Sequence, residues 1–276
     1  MLEWQLNQEG KPAMRLHRLL LPILVLGAGS AGAITPINPA LFDQPLKERH
    51  IPLARDPLNP QARPKLSCFY YPGLMIREED RGEIGAANLG IRVLSRGSRF
   101  PTCTLRPGRQ EHIVDGRNEW SGYFLGVKYP FVLFYSADGV NGGEGFAVFN
   151  QRGKLLFDDL AGDIRAVELS NPQTTPRTLR LRYQRFYPAE CSLMDANRLA
   201  CWEKIRGLTG LTASAPPDCT AAYQQMAEWM KGETLESLRS DPSVIVYEAV
   251  TTLDESGTAH STVPVTGTAT SCHPAD

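Results

Sequence analysis

The chain lacks an apolar segment long enough for a membrane helix and lacks an excess of positive charge. No apolar run reaches the roughly 18 residues that span a bilayer, so we expect no membrane span in the mature chain. The 29 lysines and arginines are matched by 30 aspartates and glutamates, and the net charge is −1. Because nucleic-acid-binding domains are normally strongly basic, we expect no nucleic-acid partner.

Sequence motifs of common catalytic and metal sites are missing as well. The sequence contains no G-x-S-x-G, which positions a nucleophilic serine, and no H-E-x-x-H, which binds zinc. It has no C-x-x-C, and the pair Cys272-His273 lacks the spacing of a zinc site. No nucleophile accompanies His112 and Asp115. These absences predict no structural zinc and make a catalytic function the less favoured class.

One glycine-rich segment matches a nucleotide-binding pattern without its structural context. Gly27–Gly32 reads G-x-G-x-x-G after an apolar run, but that fingerprint works only when a helix begins at the glycines. Pro36 and Pro39 follow closely, and proline breaks the interior of a helix. We therefore predict no dinucleotide site and no cofactor.

The amino-terminal region has the three parts of a secretory signal peptide. A basic stretch precedes the apolar run Leu19–Leu26, and small residues follow as far as Ala33. This order of basic, apolar and small residues is typical of signal peptides. It predicts a signal peptide over residues 14–33 with cleavage between Ala33 and Ile34.

The segment before this pattern does not fit it. Residues 1–13 are polar and include two glutamates, whereas a signal peptide starts with a basic region. We expect translation to start at Met14, so that residues 1–13 are a mis-assigned leader. The exported chain would then be periplasmic or secreted.

An even number of cysteines in an exported chain predicts disulfides. Six cysteines allow 15 pairings, and we expect nearest neighbours along the chain to pair. A disulfide brings two Cα atoms within about 7 Å, whereas ten helical residues span about 15 Å. Residues 191–201 therefore cannot form one straight helix if their cysteines are bonded. The predicted pairs are Cys68–Cys103, Cys191–Cys201 and Cys219–Cys272.

Proline content divides the mature chain into two parts. Residues 34–65 contain seven prolines and no apolar periodicity, which is typical of an extended arm or linker. We expect residues 66–276 to form a single β-rich domain stapled by the disulfides. The 24 glycines and 21 prolines exceed the roughly 12% that the two usually contribute, which favours turns over long helices.

Most of the periodic segments predict strands. Leu179, Leu181 and Tyr183 alternate with polar residues, which is the pattern of a half-buried strand. The segments 146–150 and 154–158 flank a turn that ends in Gly153, and Val244–Thr252 precedes a second turn of the same kind. Antiparallel pairing of such strands predicts a β-sandwich or an open barrel, and a propeller-like arrangement is the alternative.

Helical patterns occur only late in the chain, near residues 195–240. Tyr223, Met226, Trp229 and Met230 fall at helical spacing and predict one apolar face. Asp218 or Thr220 would cap this helix. We expect a helical insert between the last strands of a mainly antiparallel β fold.

Two segments could bind ions. Asp138, Asn141 and Glu144 supply three oxygen-bearing side chains on a glycine-rich loop and form a weak calcium candidate. The plain alternative is a loop that uses asparagine and glycine to reach positive φ. A second segment could bind an anion, although a solvated strand face is the favoured interpretation of its charges. It contains Arg177, Arg180, Arg182 and Arg185.

Acidic clusters raise the possibility of catalysis by carboxylates. Glycoside hydrolysis uses two carboxyls about 5–10 Å apart, and Glu78–Asp80 and Asp158-Asp159 supply neighbouring carboxyls. Neighbours in a strand point to opposite faces, so the aspartate pair should not converge. We expect both clusters to lie in solvated turns.

The residues favour an exported, non-catalytic binding or structural protein of the cell envelope, whose partner is an unspecified envelope or extracellular ligand. One alternative is a cell-envelope hydrolase with carboxylates that the fold brings together. Another is a calcium-stabilised adhesion module that uses the loop at residues 138–145.

Overall fold

The computed structural model describes residues 38–55, 57–82, 88–95, 97, 99–114, 120–170, 173 and 176–275. The predicted signal peptide, its cleavage after Ala33 and the start at Met14 lie outside the described residues. The described residues belong to one unit, Pro36–Asp276. Of the helices among them, none combines the length and apolar character needed to cross a membrane.

Antiparallel strands dominate the described residues and form two sheets. The smaller sheet has the strand order β1-β2-β3-β4-β5, and the larger has the order β12-β11-β10-β9-β8-β7-β6, with β13 also paired to β11. The strands of the smaller sheet are β1 (Lys47–Pro52), β2 (Lys65–Tyr71), β3 (Leu74–Asp80), β4 (Asn88–Val93) and β5 (Glu111–Ile113). Those of the larger sheet are β6 (Gly122–Lys128), β7 (Phe131–Val140), β8 (Gly143–Asn150), β9 (Leu155–Ser170), β10 (Thr178–Pro188), β11 (Ser243–Asp254), β12 (His260–Pro264) and β13 (Ser271–Pro274).

The two sheets pack face to face through an apolar core. Strand residues alternate between faces, so one face of β7 and β8 presents Val132, Phe134, Ala147 and Phe149 to the smaller sheet. Side chains of β3 and β4 complete this core from the other side. The fold is thus the predicted antiparallel sandwich. The sheets are not closed into a barrel, which is consistent with a sandwich.

The opposite face of the larger sheet packs against the helical insert. The helices are α1 (Arg198–Thr209), α2 (Thr220–Trp229) and α3 (Leu235–Leu238), within the range predicted from the sequence. Trp202 and Tyr223 enter a second core with Leu133 and Val148. The amide of Thr220 donates to the carboxylate of Asp218 at 2.9 Å, at the start of α2 as expected.

The predicted apolar face of α2 is only partly correct. Tyr223 is fully buried and its hydroxyl bonds to Ser243 at 2.8 Å. Trp229, by contrast, is 78% exposed and Met230 lies beyond the last helical residue. Helical spacing placed Trp229 with Tyr223, but the helix contacts the sheet mainly through its first turns.

The six cysteines form the three disulfides expected from the sequence. Cys68 of β2 bonds to Cys103 in the loop before β5, Cys191 bonds to Cys201 of α1, and Cys219 before α2 bonds to Cys272 of β13. Since α1 begins at Arg198, the geometric condition on residues 191–201 is met.

The folded unit starts earlier than the sequence suggested. Residues 47–52 of the expected linker form β1, which pairs along its full length with β2. Phe42 is buried against Gly126, where no side chain could fit beside the ring. The amide of Asp43 also donates to the carbonyl of Val127 at 2.8 Å. β1 is an edge strand, which needs hydrogen bonds on one side only. The nearby prolines are therefore compatible with it.

Candidate functional site

A cleft of about 390 Å³ opens at one end of the larger sheet. The three hairpin turns that join β6 to β7, β8 to β9 and β11 to β12 meet there. Loops at the ends of a sandwich are frequent binding sites, because the sheets hold them in place. Apart from Pro130, the lining is polar and consists of Asn150, Gln151, Arg152, Lys154, Glu255 and Ser256.

The β8–β9 turn is held by the side chain of Asn150. Its Oδ1 accepts the amide N–H of Arg152 at 2.9 Å and that of Lys154 at 3.0 Å. Gly153 has φ +79°, and the ring of His112 occupies the space where a side chain would start. The turn therefore requires glycine for its backbone and for its packing, and the adjacent Arg152 has a fixed backbone.

The β11–β12 turn is held in the same way by Asp254. Its Oδ1 accepts the hydroxyl of Ser256 at 2.6 Å and the amides of Ser256 and Gly257 at 2.9 and 2.7 Å. These hydrogen bonds, above all the one from the Ser256 hydroxyl, lower the pKa of Asp254 to about 2. The carboxylate is consequently charged at neutral pH and fixes the turn.

Hydrogen bonds connect these two turns across the cleft. The Asn150 side-chain amide donates to the Glu255 carbonyl at 3.3 Å. The Lys154 ammonium donates to the Ser256 carbonyl at 2.8 Å. Two turns that are 100 residues apart in sequence are thereby held at a fixed separation.

The β6–β7 turn is joined to the others through Tyr129. Its hydroxyl donates to the Gln151 side-chain oxygen at 3.0 Å. Arg177 donates to the Tyr129 carbonyl at 3.3 Å, and its guanidinium lies 5.1 Å from the centre of the Tyr129 ring. The carbonyl of Arg177 in turn accepts the amide of Glu255 at 3.1 Å.

Positive charge is concentrated at this cleft. Among the described residues, no carboxylate forms an ion pair with Arg152, Lys154 or Arg177. Glu255 is the acidic side chain in the lining. With Arg177 and the Asp254 carboxylate of the β11–β12 turn included, three cations lie beside two carboxylates, so the cleft carries a small positive charge.

The structure does not bring the four arginines of the predicted anion site together. Arg180 and Arg182 lie on the outer face of β10, and Arg182 donates to Glu248 at 2.7 Å. Arg185 lies on the opposite face, 2.7 Å from a carboxylate oxygen of Asp159. Arg180 also has an acidic partner, Glu168. Carboxylates of β9 and β11 neutralise this segment, and only Arg177 lies near the cleft.

The calcium candidates lie around an ordinary hairpin turn. Asn141 and Gly142 are its central residues with φ of 54° and 72°, and Asn-Gly is the favoured pair for such a turn. Burial raises the pKa of Glu144, which disfavours the charged form that calcium needs. In the described parts of the chain, no group of three or more His, Cys, Asp or Glu side chains could hold a metal ion.

Glu78 and Glu79 do not lie in a solvated turn, and that prediction was wrong. Both belong to β3 and each is 7% exposed. The Glu78 carboxylate accepts the amide N–H of Phe124 at 2.8 Å, on the free edge of β6. An edge strand presents unpaired backbone donors, and here a carboxylate satisfies one of them.

One buried carboxyl, Glu78, and one half-buried carboxyl, Glu144, act on one tyrosine near this edge. Burial raises the pKa of Glu78, against the lowering effect of the Phe124 hydrogen bond. Burial, followed by the charges of Glu78 and Glu144, raises the pKa of Tyr135 to about 12. Raised carboxyl pKa values are a property of general acids, so this cluster is the second candidate site.

The other acidic pair has a structural role. Asp159 accepts the hydroxyl of Tyr183 at 2.6 Å, whereas Asp158 is exposed. The two carboxylates do not converge, as alternation along a strand predicts. Asp159 is already bonded to Tyr183 and Arg185.

Comparison with protein families, with curated proteins and with solved structures finds no match for this chain.

The cleft escaped prediction because its residues are distant in sequence. The two turns were visible as hairpin turns, from Gly153 and from the segment 254–257. No pattern along the chain indicates that these turns meet at Pro130, or that Arg152 and Lys154 have no acidic partner there.

Proposed function

We infer that this protein is exported to an oxidising compartment, the periplasm or the extracellular space, and acts as a non-catalytic binding or structural protein of the cell envelope. The observation that carries this proposal is the pairing of all six cysteines, each of which lies in the described part of the chain. Disulfides persist in oxidising compartments and are rare in the cytosol. The signal-peptide pattern over residues 14–33 supports the same compartment.

A binding role is supported by the construction of the cleft. Its turns are fixed by Asn150 and Asp254 and linked to one another by hydrogen bonds. A pre-organised surface loses little conformational entropy when a ligand binds. Rigid, polar turns on a sandwich therefore favour recognition.

A hydrolase is the second candidate, and Glu78 is the observation in its favour. Its raised pKa, and the charge of Glu144 that acts with it on Tyr135, resemble the electrostatics of a general acid. Against catalysis, the Glu78 carboxylate is 7% exposed and already accepts a backbone hydrogen bond. Both features fit a structural role at the edge of β6.

One experiment separates the two functions. The purified, oxidised full chain is incubated with the insoluble envelope fraction of its host, which is then sedimented. We expect the protein to sediment with this material and to release no soluble glycan or peptide fragments, which are measured by chromatography. Protein that stays in the supernatant and releases nothing would contradict the binding proposal.

Release of fragments would favour the hydrolase, provided that it depends on Glu78. Glu78→Gln keeps an acceptor for the Phe124 amide but cannot donate a proton as a carboxylic acid. Glu190→Gln is the matched control, because Glu190 is an exposed carboxylate paired with Lys204. Fragment release that is lost in Glu78→Gln and kept in Glu190→Gln would overturn the non-catalytic proposal.

A further inference from the structure

The turn cleft contains cations that no carboxylate of the described residues pairs with, unlike the arginines of the neighbouring strands β9 and β10. The arginines on β9 and β10 have acidic partners, for example Arg165 with Glu248 at 3.1 Å and Arg185 with Asp159 at 2.7 Å. Within the described residues, Arg152 has no such partner and its side chain is exposed. An unpaired cation in a polar cleft is available to a ligand.

The positions of these cations are set by the fold. Arg152 follows Asn150 by two residues in a turn whose amides are bonded to the Asn150 side chain. Lys154 is anchored to the Ser256 carbonyl at 2.8 Å. Arg177 lies against the Tyr129 ring behind them. The positive charge is therefore held in place before a ligand arrives.

The lining also suits a ligand with hydroxyl groups. Asn150, Gln151 and Ser256 have side chains that donate and accept hydrogen bonds, and Glu255 can accept them. The volume of about 390 Å³ is near the lower end of the usual range for small-molecule sites, about 300–1,000 Å³. A planar guanidinium binds carboxylate and phosphate groups through paired hydrogen bonds.

We propose that the cleft binds a small sugar or polyol that carries a carboxylate or phosphate group. Arg152 and Lys154 bind the anionic group, and the polar side chains of Asn150, Gln151 and Glu255 bind the hydroxyls. This inference rests on the proposed binding function and names its ligand class. Of the four arginines predicted from the sequence to bind an anion, Arg177 contributes a neighbouring charge to this site. The other three do not belong to it.

The test is a titration of the isotope-labelled, oxidised full chain, followed through its amide resonances by NMR. The probes are glucuronate and glucose 6-phosphate, with inorganic phosphate and neutral glucose as comparisons. We expect either sugar anion to shift the amides of Arg152, Gly153, Ser256 and Gly257, with an affinity that falls as salt is added. Neutral glucose should bind at least tenfold more weakly.

Matched variants assign the effect to the cleft. Arg152→Ser should weaken binding of the sugar anion about tenfold, the loss of one charge-assisted contact of roughly 1.4 kcal/mol. Arg109→Ser removes another exposed arginine and should leave the affinity unchanged. The double variant Arg152→Ser, Lys154→Gln should abolish the shifts at the turns while the remaining amide spectrum stays native.

Three results would overturn the inference. The first is that neither sugar anion shifts the turn amides. The second is that the shifts persist in the double variant. The third is that inorganic phosphate and glucose 6-phosphate bind with equal affinity, which would show that the site does not recognise the sugar. Sedimentation with envelope material tests the binding function separately. If the protein sediments but neither sugar anion shifts the turn amides, only the ligand class is wrong.

Discussion

Arg77 carries a positive charge inside the protein, beneath the loop that Cys103 anchors. Its Nε lies 2.5 Å from Glu111, and its Nη1 lies 3.7 Å from Glu79, with all three side chains at least nine-tenths buried. Gly90 makes room for the Glu111 carboxylate, which also accepts the Gly108 amide at 2.8 Å. At the scale of single residues, the smaller sheet therefore depends on a buried ion pair.

Replacing Arg77 should be severely destabilising. Arg77→Met leaves the carboxylates of Glu79 and Glu111 buried with less compensation, and breaking a buried pair costs about 3–5 kcal/mol. Urea unfolding at pH 7 measures the loss. Arg180→Met is the control, because its pair with Glu168 is exposed and should contribute less than about 1 kcal/mol. Equal, small losses in both variants would show that the Arg77 network adds nothing to stability.

Glu78 predicts a dependence of stability on pH. Because burial raises its pKa in the folded state, the folded state favours the protonated form. The favourable contribution is complete below the ordinary pKa of 4.5 and is lost as the pH rises through the folded value.

Glu78→Gln should remove this loss of stability at rising pH, because the glutamine side chain does not ionise. The free energy of unfolding of Glu78→Gln should exceed that of the original chain at pH 7, and by less at pH 4. Unfolding in urea at both pH values measures the difference. In the exposed control Glu190→Gln, no such gain should develop between pH 4 and 7, and a gain of the same size there would refute the role of Glu78.

At the scale of elements, β1 and the segment before it are part of the sandwich. Phe42 fills the space above Gly126, and the Tyr129 amide donates to the Asp43 carboxylate at 2.9 Å. These contacts join the segment before β1 to β6 and to the turn beside the candidate cleft. The element that looked like a linker therefore helps to position that turn.

Truncation of Phe42 tests this role. Phe42→Ala should destabilise the protein by about 3–5 kcal/mol, as for other buried phenylalanines. Leu46→Ala is the control, because Leu46 is largely exposed and should have little effect. Thermal unfolding measures both variants, and a loss below 1 kcal/mol for Phe42→Ala would mean that the domain does begin near Leu66.

The elements that were predictable from sequence are those whose signal is local. Alternation at Leu179, Leu181 and Tyr183 correctly indicated β10, since all three are buried. Gly153 correctly marked the end of a hairpin turn.

The elements that were missed depend on distant partners. β1 pairs with β2, and Phe42 before β1 fills the space at Gly126; no local pattern reveals either contact. The charges of Glu78 and Glu79 indicated solvent, but the Phe124 amide donates to Glu78 and the Arg81 guanidinium donates to Glu79 at 2.6 Å, with Arg77 close to Glu79 as well. Asn141-Gly142, by contrast, has a local signal, and the expected loop with positive φ is confirmed there.

At the scale of the whole molecule, each disulfide attaches a peripheral segment to a sheet or helix. The bonds enclose sequence separations of 35, 10 and 53 residues and reach the loop before β5, helix α1 and the start of α2. Each such bond can stabilise a fold by roughly 2–4 kcal/mol, and more for longer loops. The fold therefore requires a compartment in which these bonds form.

The intact mass of the protein purified from its host, before and after reduction, tests this requirement most directly. We predict a mature chain that starts at Ile34 and gains about 6 Da on reduction, two hydrogens for each of the three disulfides. Peptide mapping of the unreduced protein should recover the pairs Cys68–Cys103, Cys191–Cys201 and Cys219–Cys272. An uncleaved chain with six free thiols would contradict both export and the disulfide-stabilised fold.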